Sequence, residues 1–214
     1  MQRYWFADIP KQEWPGASSD SSDVYDELWS EGFAAFFDLS FSIVQPTLWV
    51  DVGGGFSDNT KFYMEDRFHP WLVFHVIDPY NRSHLHNRYV QHQVELKGGA
   101  DYVSSISVVN ILESDEVILN HLQLLHTILK PGGTAIIKIW DGNLTEGGER
   151  QLHLKRGIPQ DHSNHRHHTV FQWGKPASFF DPLVQQVFTE YVVRDETCII
   201  ATKSTTCNDS VLSL

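Results

Sequence analysis

The chain has 214 residues, 41% of them hydrophobic and 20% charged, and its 16 basic against 27 acidic side chains leave a net charge of −11. This balance excludes a disordered chain, a collagen or heptad repeat, and a surface built for bulk phosphate binding. Apolar stretches such as residues 135–139 are broken by charge far short of the roughly 18 residues a membrane span needs, so no membrane partner is expected. The first residues carry acids and no apolar signal core, and two cysteines, Cys198 and Cys207, build no disulfide framework. A cytoplasmic domain is the resulting expectation.

Residues 10–22, rich in proline and serine, read as the end of a flexible lead-in over 1–22. Residues 23–39 predict a helix with Ser22 or Asp23 as its N-cap. Residues 47–52 form a short apolar strand that runs into Gly53-Gly54-Gly55, with a helix over 59–67 behind it. The run 71–77 is nearly continuous in apolar residues, as in a strand whose two faces are both covered. A helix over 84–94 and a strand-like segment over 101–112 follow. Residues 114–129 carry the clearest helical period, with Ile118, Leu122, Leu125 and Leu129 on one stripe, Ser114 as cap, and Pro131-Gly132-Gly133 as stop. A strand over 134–140 precedes the polar, histidine-rich residues 141–176, which have no period and read as an insertion or lid. Residues 179–188 look helical, 190–193 and 197–202 form a hairpin, and 203–214 read as a loose tail. Alternating strands and helices make residues 23–202 one α/β domain, a doubly wound, mostly parallel sheet with helices on both faces and a C-terminal antiparallel hairpin. Ligands in such sheets bind at the C-terminal ends of the strands.

Two features stand at those ends. Consecutive glycines after the first strand permit positive φ and close approach of a ligand to the backbone. Reading G-x-G-x-x-G from Gly53, however, puts Asp58 where the third glycine belongs, so the pyrophosphate signature is incomplete. Instead Asp51 lies two residues before the first glycine, suited to a cationic ligand. Asp78 stands at the tip of the second strand, where an acid accepts both hydroxyls of a ribose. Taken alone, the first feature is also a plain glycine turn, and Asp78-Pro79 also a turn opener.

In this strand context LWVDVGGG, VIDP with Asp78, ADYVSSISVVNIL and LKPGGTAIIKIW, in that order over residues 48–140, resemble the motifs of class I S-adenosylmethionine-dependent methyltransferases. The resemblance implies a seven-stranded sheet. Because only 22 residues lie between Asp78 and Asp101, it also implies a very short third strand at residues 94–96. It further implies that S-adenosylmethionine is the cofactor. Gly53, Gly54 and Gly55 would pack on its methionine part, Asp51 would lie near its amino group, Asp78 would hold its ribose, and Ser104 and Ser105 would line the methyl-donor pocket. The family's adenine-contacting acid has no match.

Methyl transfer from a sulfonium is an in-line displacement that positioning alone advances, a base being useful for a hydroxyl or protonated amine. The catalytic residue is left open between Asn110 and Asp141, each with an equally ordinary local role in a strand end or turn. Asn81 and Arg82, behind Asp78, and His165 and Trp173, in the lid, are the candidate contacts to the acceptor. Four histidines between Asp161 and His168 read as a pH-responsive cap in preference to a metal centre. The expected acceptor is an oxygen or nitrogen of a small molecule or peptide side chain. Net −11 disfavours a nucleic acid, for which Arg82, Arg88, Lys155, Arg156 and Arg166 would supply local charge. A non-catalytic cofactor-binding domain, with Trp5, Trp14 and Trp29 as partner surface, is the reading from another class.

Overall fold

The computed structural model describes residues 4–6, 46–55, 57–112, 114–139, 155–156, 169–170 and 175–205. The helix expected at 23–39, the tail beyond 205 and nearly all of the histidine-rich segment lie outside them.

Six strands form the main sheet: β1 (Thr47–Val52), β2 (Leu72–Ile77), β3 (Ala100–Ile106), β4 (Leu129–Lys138), β7 (Glu190–Val193) and β8 (Cys198–Thr202). Their order is β2-β1-β3-β4-β8-β7, and β5 (Lys155–Arg156) pairs with β6 (Thr169–Val170) in a separate two-stranded ribbon. The β1–β2, β1–β3 and β3–β4 ladders are parallel. Strand β8 lies antiparallel to both β4 and β7, so the closing hairpin is inserted into the sheet with β8 innermost.

Helix α1 (Asn59–Phe68) covers one face of β1 and β2, packing Met64 and Phe68 on Trp49, Phe74 and Val76. The opposite face carries the larger core. There α2 (His84–Leu96), α3 (Asp115–Ile128) and α4 (Asp181–Val184) bury Val90, Val94, Ile118, Leu122, Leu125, Ile128 and Val184 against Leu48, Val50 and Val103. The doubly wound α/β class is as expected. Ser114 caps α3 through the Val117 N–H at 3.4 Å, and its dipole is matched by Asp115 and Glu116 in the first turn.

Among the described residues the main sheet has six strands, and the expected third strand is not one of them. Residues 94–96 are instead the last turn of α2, because Val94 continues the buried stripe Asn87, Val90, Gln91. A β-branched residue near a chain reversal imitates a strand, but its neighbours at helical spacing bind it to the helix. Gly98 and Gly99, at φ +74° and +123°, then return the chain directly into β3.

Two smaller departures concern β4 and the segment after α4. Strand β4 begins at Leu129, before the turn that was expected to precede it. The register jumps from Ala100–Leu129 to Tyr102–Thr134, so the proline and glycines bulge out of the ladder. The helix expected over 179–188 is a 3-10 turn (Ala177–Phe180) followed by the single turn of α4.

Near the start of the chain, Phe6 is buried in the main core and the Trp5 N–H donates to Gln91 Oε1 at 3.1 Å. Among the described residues no helix is long and apolar enough to cross a membrane.

Candidate functional site

The parallel strands place the residues after β1, β2 and β3 at one end of the sheet. Gly53 and Gly55 adopt φ +86° and +72°, a region that favours glycine. The Gly53 N–H donates to the Ile77 carbonyl at 2.8 Å, which ties the turn to the end of β2. Space is as tight as the backbone. A methyl group on Gly54 would collide with Asp51 Oδ2 and lie 2.6 Å from Val76 Cγ1, and one on Gly53 would lie 2.6 Å from Val108 Cγ2. Val108 belongs to the irregular segment after β3, where Ser107 takes φ +56°, a left-handed conformation costly for a residue with a Cβ. The tip of β3 is thus packed directly against the glycine turn.

Asp51 lies within β1 and is buried, paired in register with Ser104 of β3. Ser104 Oγ donates to Asp51 Oδ1 at 2.9 Å and accepts from Trp49 Nε1 at 2.9 Å. This relay fixes the carboxylate beside Gly54. Ser105, one residue on, points through the opposite face, where its Oγ lies 2.8 Å from His121 Nε2 of α3. The two serines are therefore separated by the sheet. Burial pushes the His121 imidazole down to about 4, so this ring is neutral at ordinary pH.

Asp78, directly after β2, is buried and accepts four hydrogen bonds. Its Oδ1 receives the N–H groups of Tyr80 and Asn81, both at 2.8 Å. Its Oδ2 receives the Gly55 N–H and the Asn81 side-chain amide, both at 3.1 Å. The Gly55 bond joins the two motifs into one site.

Arg82 folds back over the turn. Its Nε donates to the Gly55 carbonyl at 2.7 Å, one terminal nitrogen to the Ser57 carbonyl at 2.5 Å and the other to Asp58 Oδ1 at 2.6 Å. The acid standing in place of the fingerprint's third glycine is thus the anchor of an arginine clamp.

Asn110 is buried in the 3-10 turn Val109–Ile111, behind the β3 tip. Asp141, His165 and Trp173 lie outside the described residues. One contributor escaped the sequence reading. Asn87 of α2 accepts from the Asp78 N–H at 3.2 Å and donates to the Asp78 carbonyl at 2.8 Å, holding that residue's main chain from behind. Its signal was present in the stripe Asn87, Val90, Gln91, Val94, whose buried amides need partners.

The donor set suits a ribonucleoside with a cationic amino-acid arm. Asp51 beside a glycine turn offers a carboxylate to an ammonium group, and Asp78 offers one to a diol, provided one of its present donors withdraws.

No family model and no curated protein matches the chain. Solved structures do. An amino pentose methyltransferase of calicheamicin biosynthesis from Micromonospora echinaspora is 12% identical, with 88% of this chain and 94% of that one covered and a TM-score of 0.48. An O-methyltransferase family protein from Burkholderia thailandensis is 15% identical over 86% of this chain and 60% of its own, at 0.46. The mitomycin 7-O-methyltransferase is 13% identical over 74% of this chain, at 0.45, and this chain spans only 49% of its length. Likenesses this slight carry no argument about activity. The fold rests on the sheet order, and the site on its own geometry.

Proposed function

We propose that the chain is an S-adenosylmethionine-dependent methyltransferase that methylates an oxygen or nitrogen of a small molecule or peptide side chain in the cytoplasm. The observation that carries this reading is the Gly55–Asp78 hydrogen bond. It couples a positive-φ glycine turn, with a buried carboxylate beside it, to a second carboxylate at the neighbouring strand tip.

When bound, the cofactor supplies an electrophilic methyl group on a sulfonium. The chain's own residues bind and align. Asp51, oriented by Ser104, takes the ammonium end, Gly53 to Gly55 admit the methionine arm against bare backbone, and Asp78 takes the ribose. Val108 and Asn110 at the β3 tip border the place where donor and acceptor meet. Holding the acceptor in line supplies most of the rate enhancement that such a displacement needs. Of the two candidates for a catalytic residue, Asn110 and Asp141, only the aspartate carries a side chain that can act as a base. Net −11 favours a neutral or cationic acceptor over a nucleic acid.

Calorimetric titration with S-adenosylhomocysteine tests the cofactor, with micromolar binding expected. Mass-spectrometric detection of added methyl groups across small hydroxyl and amine acceptors and short peptides tests the reaction. Absence of binding would sink the reading, and binding without turnover across that panel would turn it toward a non-catalytic cofactor domain.

A further inference from the structure

The four donors on Asp78 conflict with its proposed role. A carboxylate has about four lone-pair positions, and here the N–H groups of Tyr80, Asn81 and Gly55 and the Asn81 side-chain amide occupy four. By this count a ribose hydroxyl has nowhere to donate until one of them leaves.

The four are not equally movable. The Tyr80 and Asn81 N–H groups belong to the turn that leads into α2, which is pinned by the Arg82 N–H to Asp78 carbonyl bond at 3.2 Å and by Asn87 on the same residue. The Gly55 N–H belongs to the glycine turn, whose carbonyl at the same residue is held by Arg82. Only the Asn81 amide reaches the carboxylate through freely rotating side-chain bonds. Asn81 is partly exposed, so its amide can exchange Asp78 for water without moving any main chain. It also sits on Oδ2, the oxygen that accepts from the Gly55 N–H of the glycine turn.

We infer that the Asn81 side-chain amide stands in for a ribose hydroxyl on Asp78, an autoinhibitory hydrogen bond that a ligand bearing a vicinal diol displaces. The inference rests on the nucleoside-binding reading above and adds a gate to it. The gate keeps the buried carboxylate satisfied in the empty protein, because a desolvated acid short of partners is costly. Every diol ligand gives up part of its affinity to open it. Asn81 is accordingly a determinant of cofactor affinity that touches no cofactor once the site is filled.

The experiment compares wild-type protein with Asn81→Ala by calorimetric titration of S-adenosylhomocysteine, and follows the Asn81 side-chain NH2 signals of nitrogen-15-labelled wild type through the same titration. The variant should bind about tenfold more tightly, the equivalent of one hydrogen bond of roughly 1.4 kcal/mol no longer displaced. In wild type the NH2 pair should move at saturation from a protected, hydrogen-bonded position to a solvent-exchanging one. Equal or weaker binding by the variant overturns the inference, as do Asn81 signals unchanged at saturation. The second readout needs no variant and stands even where Asn81→Ala misfolds. Failure of both proteins to bind S-adenosylhomocysteine overturns the nucleoside reading itself, whereas binding with an indifferent Asn81 removes the gate alone.

Discussion

The Arg82 guanidinium and the Asp58 carboxylate lie 2.6 Å apart, 24 residues from each other in the chain, with the arginine side chain buried and the aspartate about half exposed. The asymmetry sets what each contributes. Arg82 also serves the Gly55 and Ser57 carbonyls, so Arg82→Ala strips three acceptors of a charged donor and should cost about 2 kcal/mol. Asp58→Ala removes one partner from a solvent-facing pair and should cost under about 1 kcal/mol. Arg82→Lys keeps the charge without the fork and should fall between them. Urea unfolding reads all three. Titration with S-adenosylhomocysteine should weaken in the same rank order, since the clamp holds the turn that the ligand would contact.

Gly54→Ala separates crowding from backbone strain. Gly54 takes no left-handed conformation, so its intolerance is steric, with the new methyl group driven into Asp51 and Val76. Overpacking of this kind costs about 1–3 kcal/mol, and here it also tilts the Asp51 carboxylate. The expected result is a loss of S-adenosylhomocysteine affinity of tenfold or more with a lowered melting temperature. Gly98→Ala is the control. At φ +74° with open space around the new methyl, it should show a stability loss of about 1 kcal/mol from strain alone and leave binding unchanged.

How much of this was legible beforehand depended on whether local pattern and tertiary demand agreed. Strand β1, its glycine turn and α1 could be read because apolar run, turn residues and helical period succeed one another without overlap. The tip position of Asp78 followed from the unbroken run before it. The third strand failed because Val94 satisfies two patterns, and only the polar Asn87 and Gln91 at helical spacing show which one holds. The three acceptors of Arg82, two carbonyls and a distant acid, were not legible, since no local pattern predicts them. Ser104 and Ser105 looked equivalent in the sequence, but the alternation of a strand sends neighbours to opposite faces. One of them serves Asp51 and the other His121.

Two neutral histidines give the fold an acid limit. Burial lowers His121 to about 4. His75, on β2, is lowered to about 4 by burial first and then by the positive charges of Lys61, His86 and Lys97. An imidazole of the unfolded chain takes up its proton near 6.5, whereas these two stay neutral until about pH 4. The unfolded state therefore binds more protons across that window. Their contribution is complete above pH 6.5 and falls as pH drops toward 4, by on the order of 3 kcal/mol in all once partial solvent contact is allowed for. Stability measured by urea unfolding should decline over that interval. His75→Phe and His121→Gln should each flatten the slope, and an unaltered slope in both variants would remove these residues as its source.

Among the described residues β2 is an outer strand of the sheet, with no third strand beside it, and side chains bond its outward main-chain groups. Residues 74, 76 and 78 turn their main-chain groups outward there. The Phe74 N–H donates to Glu65 Oε1 at 3.4 Å, the Val76 carbonyl accepts from His86 Nε2 at 2.8 Å, and Asp78 is bonded on both its N–H and its carbonyl to Asn87. Open strand edges invite pairing with another chain, and such caps prevent it. Asn87 contributes most, because it is buried and holds a donor and an acceptor together. Asn87→Ala should cost about 1–3 kcal/mol by leaving the buried Asp78 N–H without a partner, while the Asp78 carbonyl keeps the Arg82 N–H at 3.2 Å. His86→Ala, at a partly exposed position where water reaches the Val76 carbonyl, should cost under about 1 kcal/mol. The two differ in a second respect. Asn87 also positions the main chain of Asp78, so Asn87→Ala should weaken S-adenosylhomocysteine binding and, with the edge unsealed, produce larger species by light scattering on mild warming. His86→Ala should do neither. If Asn87→Ala formed no larger species than the wild type and kept full affinity, the closure of this edge would have to be assigned to Glu65 and His86 instead.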